Sequence, residues 1–174
     1  MAPDRSTLAA LAATPRRMAA LFVALEAELY RVKPDGHAFA FAEHLWHLAD
    51  LETEAFQPRL RRLREEEAPF LPDFDGGALA RRRDYLALDP AEGLRRFAAA
   101  RSRTLETLSL VGADEWARTG TQEGAGELSL ADLPCRMLAH DRAHLAELGC
   151  LMTALRRERV SDLLGEAVAV GACA

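Results

Sequence analysis

The chain has 174 residues, 49% of them hydrophobic and 28% charged, which is the length of one domain with enough apolar side chains for a full core and argues against disorder. A net charge of −5, from 22 basic against 27 acidic residues, offers phosphates no basic excess, so no nucleic-acid partner is expected. Cys135, Cys150 and Cys173 are odd in number and contain no Cys-x-x-Cys pair, which argues against a disulfide framework and a cysteine zinc site and suits a reducing compartment. Charges also break every apolar run well before the roughly 20 residues that a membrane helix needs. Neither a membrane span nor a secretory signal is expected, and a cytoplasmic location is.

Ile is missing, alternating apolar runs are absent, and Ala, Leu, Arg and Glu dominate, so the fold class read from the sequence is all-α. A helical turn or two is expected from Ser6 to about Ala12. Thr14 followed by Pro15 then resembles an N-cap with proline in the first turn, opening a first long helix to near Tyr30 that carries Met18, Leu21, Phe22, Leu25 and Leu29 on one face. Lys33 to Gly36 is a turn. A second helix is expected from about Phe39 to Arg64, with a kink or break near Glu54 because Pro58 lies inside it. Glu65 to Gly77 reads as a crossover, followed by a short helix from Ala78 to Tyr85.

Asp89 and Pro90 predict the start of a third helix running to about Leu108, closed by Gly112, and Gly120 to Gly126 reads as a flexible loop. Ser129 and Asp132 form a capping box ahead of a fourth helix that extends to about Arg157, with a short helix and small-residue tail from Ser161 to Ala174. Four long amphipathic segments joined by long connections predict a four-helix bundle, as one domain over residues 1–174.

The strongest chemical feature is His140 and His144, four apart and therefore on one helical face. The seam of that helix reads Leu130, Leu133, Met137, His140, His144, Leu148, Leu151, Leu155, so both imidazoles stand where leucine is expected. Buried rings need polar partners, and a metal ion supplies one to both while keeping them neutral. A third ligand on the second helix is either His44 or His47, between which periodicity does not choose. His37 sits in the turn.

The segments Glu43-His-Leu-Trp-His-Leu-Ala-Asp50, Leu71-Pro-Asp-Phe-Asp75, Ser129-Leu-Ala-Asp132 and His140-Asp-Arg-Ala-His144, in this order and spacing, resemble the DinB superfamily of damage-inducible, metal-binding four-helix bundles. The resemblance covers nearly the whole chain and implies His47, His140 and His144 as metal ligands, with His44 a neighbour or a surface residue. It implies a divalent ion, zinc or nickel, held with one or more waters, and a metal-dependent transferase or hydrolase acting on a small, possibly thiol-containing molecule. The alternative is a non-enzymatic metal-binding or stress-response protein. Homodimers are common in the family. One departure is Arg118-Thr-Gly-Thr121, where relatives often carry a histidine.

Two further charges interrupt apolar stripes, Glu52 on the second helix and Arg101 on the third. They are expected to pair with each other, or Glu52 with Arg59, or else to reach the bundle rim. Asp141 occupies the place of the catalytic Glu in a zincin motif but is one methylene shorter, and no Glu-x-x-His element of a di-iron centre occurs. Cys135 and Cys150 flank the histidine pair and are candidates to line its cavity.

Overall fold

The computed structural model describes residues 2–171, with side chains over 2–159. Cys173 lies outside the described residues. Helix α1 spans Arg5–Ala24, α2 Phe41–Leu51, α3 Gln57–Glu65, α4 Gly76–Arg83, α5 Pro90–Ser109 and α6 Leu133–Gly171. The bundle consists of α1, the rod formed by α2 and α3, α5 and α6, with α5 packed on both α1 and α2 and α6 on α1 and α2. None of the described helices is long and apolar enough to cross a membrane.

The first helix differs from expectation in an instructive way. Its N-cap is Asp4, whose carboxylate accepts from the Ser6 N–H at 3.2 Å, so the helix runs unbroken through Thr14 and Pro15 and ends at Ala24. Proline inside a helix removes one N–H and strands the carbonyl four residues earlier. Here that carbonyl belongs to Leu11, and it accepts from Arg101 Nη1 at 3.2 Å. Thr14 caps nothing; its hydroxyl donates to Asp141 at 2.7 Å.

Between α2 and α3 the break expected near Glu54 is a single π-type turn over Glu52–Phe56, where the Gln57 N–H reaches back to the Glu52 carbonyl. Pro58 then falls in the first turn of α3, where its missing N–H matters least. Helix α5 starts as expected, with Asp89 accepting from the Ala91 N–H at 3.0 Å. The capping box before α6 is reciprocal: the Asp132 N–H donates to Ser129 Oγ at 3.1 Å and the Ser129 N–H donates to Asp132 at 3.3 Å. Instead of stopping near Arg157, the α6 backbone continues as helix through the Ser161 segment to Gly171.

Gly120 to Gly126 is a hairpin rather than a loop. Strands β2 (Thr119–Gln122) and β3 (Gly126–Ser129) pair antiparallel with Gly120 opposite Leu128, and β1 (Phe70–Leu71) adds in parallel to β2. Strands of two to four residues carry too little alternation to be read from sequence. Gly120 is required because a Cβ there would lie 2.6 Å from the Pro69 carbonyl oxygen. In the departing Arg118–Thr121 segment, Arg118 donates to the Leu63 and Glu66 carbonyls, both at 2.7 Å, and so ties the end of α3 to the hairpin.

The core has two large apolar clusters, one around Leu11, Leu63, Leu108, Leu128 and Met137, the other around Met18, Leu45, Phe97, Leu148 and Leu155. Thr14 of α1, Arg101 of α5 and Asp141 of α6 fall between these clusters, and together with Glu52 they form a buried clamp. Arg101 donates to Asp141 at 2.6 and 3.0 Å and to Glu52 at 2.9 Å, with all three side chains at most 1% exposed. The expected Glu52–Arg101 pair is therefore present, with Asp141 as a second partner, and Arg59 takes no part. Because two buried carboxylates depend on one guanidinium, Arg101→Met is expected to cost about 3–5 kcal/mol, read from urea unfolding at neutral pH; a loss below about 1 kcal/mol, the range of an exposed pair, would contradict the clamp.

Candidate metal centre

Helices α2 and α6 face each other across the histidines. His44, His47 and His144 are buried and His140 is half-buried. His140 Nε2 lies 3.1 Å from His144 Nε2 and 3.4 Å from His47 Nε2, and His47, His140 and His144 each offer one ring nitrogen within 4.8 Å of the others. Nitrogens held about 2.0–2.1 Å from one tetrahedral zinc are themselves about 3.3 Å apart. The three rings therefore have the spacing that a shared ion requires. Of the two candidates on α2, His47 is the one in this group. His44 is neither a surface residue nor a member: its Nδ1 is 2.8 Å from His144 Nδ1, the ring nitrogen turned away from the group. His37 is not in the group.

Burial sets the charge of these rings. It pushes His47, His140 and His144 down to about 4 from the ordinary 6.5, with the neighbouring imidazoles lowering them further, and His44 down to about 3. All four are neutral at pH 7, the state in which imidazole ligates metal. Much of the wall that excludes water is aromatic. Phe39 lies 5.2 Å from the His47 ring, Phe74 lies 6.2 Å from it, and Phe56 meets His140 edge-on at 6.1 Å.

The Leu71–Asp75 motif has a structural reason in this arrangement. Its Phe74 supplies part of that wall, and its Asp75 caps α4 by accepting from the Ala78 N–H at 2.8 Å, which brings Gly76 against His47. A Cβ on Gly76 would overlap the His47 ring at Cε1 and Nδ1. Gly76 could be found in the sequence only as a residue after a cap; its approach to His47 is purely tertiary. Asp50, at the end of the α2 motif, receives the Tyr85 hydroxyl at 2.5 Å and Arg83 at 2.6 Å, fastening the α4 region to α2. Glu43 accepts from the Ala40 N–H at 2.7 Å and opens the helix.

A cavity of about 240 Å³ opens on His47 and His140, with Leu51, Phe56, Phe74 and Leu133 as apolar wall and Arg59, Asp73, Gln122 and Arg136 as polar lining. Such a mixture of apolar wall and polar lining suits a small molecule, and it lies directly beside two of the three histidines. A larger groove of about 650 Å³ beside Trp46, Asp50 and Arg83 contains none of the histidines. Asp141 cannot act as a zincin-type base, since its carboxylate is held by Arg101 and Thr14 in the clamp. Cys135 and Cys150 are exposed free thiols, and neither lines the histidine cavity: Cys150 lies in a separate surface groove with Gly149 and Thr153. Cys135 is five residues before His140 and Cys150 six after His144, so both are near the histidines along α6 but on other faces of the helix.

The sequence matches the DinB superfamily over residues 10–148. Among solved structures the chain is similar to YfiT from Bacillus subtilis, with a TM-score of 0.78 and 17% identity, covering 86% of each chain; that protein is described as a probable metal-dependent hydrolase with an unusual four-helix bundle topology. Likeness at that identity carries the fold alone. No curated protein matches the chain. A match over most of the sequence, on a bundle that closes three histidines from two helices around one point, makes this chain a member of the DinB superfamily.

Proposed function

We propose that the protein is a metal-dependent transferase or hydrolase that holds a divalent ion, zinc or nickel, on His47, His140 and His144 and acts on a small molecule entering the adjacent cavity. The observation that carries this reading is the convergence of three neutral imidazole nitrogens beside an open cavity whose wall two of them, His47 and His140, form. A structural ion is normally enclosed by four protein ligands, whereas a catalytic one keeps a position for water or substrate. The description of YfiT as a probable metal-dependent hydrolase agrees with it. When bound, the ion would polarise a substrate atom or lower the pKa of its water or of a thiol toward neutrality. The chain's own contribution is to keep the three rings unprotonated, to hold His47 against Gly76, and to keep water from the apolar side of the site. Two exposed free thiols fit a reducing, cytoplasmic setting.

Protein purified without a histidine tag and supplemented with zinc is expected to carry about one equivalent. His140→Ala is expected to bring this below about a tenth, and Gly76→Ala to weaken zinc affinity by about 10–100-fold, both read by chelator competition. A wild-type chain that stays below a tenth of an equivalent after supplementation would overturn the reading. With cobalt in place of zinc, addition of 2-mercaptoethanol is expected to change the visible spectrum; a spectrum indifferent to thiols, esters and amides alike would point to a non-enzymatic site.

The metal-free protein is expected to lose stability as the pH falls from about 6.5 toward 4. In that window the unfolded chain protonates its histidines while the buried rings of the folded chain remain neutral, so protonation favours unfolding. Chemical unfolding of chelator-treated protein across this range checks it, and a stability that rises on acidification would contradict it.

A further inference from the structure

Two guanidinium groups line the histidine cavity, and among the described residues neither forms a salt bridge. Arg59 is only 7% exposed, yet its hydrogen bond is to a neutral acceptor, the Pro72 carbonyl, from Nη2 at 3.0 Å. Its Nε is buried without a partner, and Nη1 makes no hydrogen bond among the described residues. Arg136 donates to the Gln122 side-chain oxygen at 3.2 Å and to the Glu127 carbonyl at 3.3 Å, also both neutral. Among the described residues no acidic group forms a salt bridge with either. The other deeply buried arginine, Arg101, has two carboxylates.

A guanidinium stays charged at neutral pH, and one taken out of water without a counter-charge is costly. Burial pushes Arg59 below its ordinary range and Arg136 adds to this, while Asp73 opposes both. Asp73 is exposed at the cavity and is its one acidic lining residue, so two positive charges face one negative charge, a formal excess of one. The planar fork of arginine matches the two oxygens of a carboxylate.

We propose that Arg59 and Arg136 form an anion subsite that takes the carboxylate of a small monoanionic substrate, leaving its reacting group toward His47 and His140. This deepens the metal reading by naming the class of molecule that approaches the ion, and it rests on that reading only for the chemistry that follows binding. The excess of one charge favours a carboxylate over a dianionic phosphate, and the volume of about 240 Å³ favours a molecule of a few carbons or the carboxylate-bearing end of a larger one.

The test is a titration of the zinc-supplemented protein with propionate, with propionamide and inorganic phosphate as comparisons, followed by heteronuclear NMR, with zinc content measured in every sample. Propionate is expected to bind and propionamide not to. Arg59→Gln is expected to weaken propionate by about tenfold or more, with Arg59→Lys intermediate, and zinc content unchanged in both. Arg136→Gln, at a half-buried position, is expected to weaken it in the same direction and decides the matter if Arg59→Gln does not fold. A carboxylate that merely ligates the ion would bind the arginine variants as it binds wild type, and that result would overturn the subsite. So would propionamide binding as well as propionate, phosphate binding more tightly than propionate, or no propionate binding at all. Failure of the metal reading is separate: it appears as absent zinc in the wild-type sample, while the propionate titration still reports on the arginines.

Discussion

One guanidinium organises this bundle. Arg101 of α5 is buried against Asp141 of α6 and Glu52 at the end of α2, and also donates to the Leu11 carbonyl of α1. Four segments thus share a single cation, and charged hydrogen bonds are directional where apolar contacts are not. Apolar packing alone would tolerate sliding of α6 by a turn; a buried carboxylate that must meet Arg101 would not. The proline in α1 belongs to the same device, because the carbonyl it leaves unpaired becomes an acceptor for Arg101.

The clamp and the candidate metal centre are neighbours on the same elements. Asp141 follows His140 directly, and Glu52 lies five residues beyond His47. Fixing Asp141 and Glu52 on one guanidinium therefore fixes the register of the two helices that carry the histidines. Adjacent residues on a helix point about 100° apart, so Asp141 serves the core while His140 opens to the cavity. Burial then has opposite consequences at the two places. Around Arg101 it is offset by ion pairing, and around the histidines it keeps the imidazoles neutral and suited to a metal. At Arg59 burial is opposed only by the charge of Asp73 across the cavity, with no salt bridge among the described residues, which is why that residue stands apart from the clamp.

Much of the bundle was legible in the sequence because it rests on local chemistry. Asp89 before Pro90, and Ser129 three before Asp132, are caps whose hydrogen bonds lie within one turn, and the α6 seam showed both histidines as inward positions. What was not legible depends on distant partners. Thr14 and Pro15 look like a helix start until Arg101 and Asp141 are brought beside them. Asp141 sits inside a histidine motif, so its sequence neighbours suggest chemistry and hide its role in the clamp. Strands of two to four residues leave no period to detect, although Leu71 and Leu128 anchor them in the core. His44 and His47 both lie inward on α2, and only the position of α6 separates the ring that joins the group from the ring that backs it.

In the proposed function three imidazoles from two helices share one ion with a position left open. X-ray absorption at the zinc edge of the loaded protein addresses it most directly, because it counts and identifies the atoms bound to the metal. The expected result is three histidine nitrogens at about 2.0–2.1 Å completed by one or two light oxygen neighbours from solvent. A shell containing sulfur at about 2.3 Å, or one with fewer than three imidazoles, would contradict it.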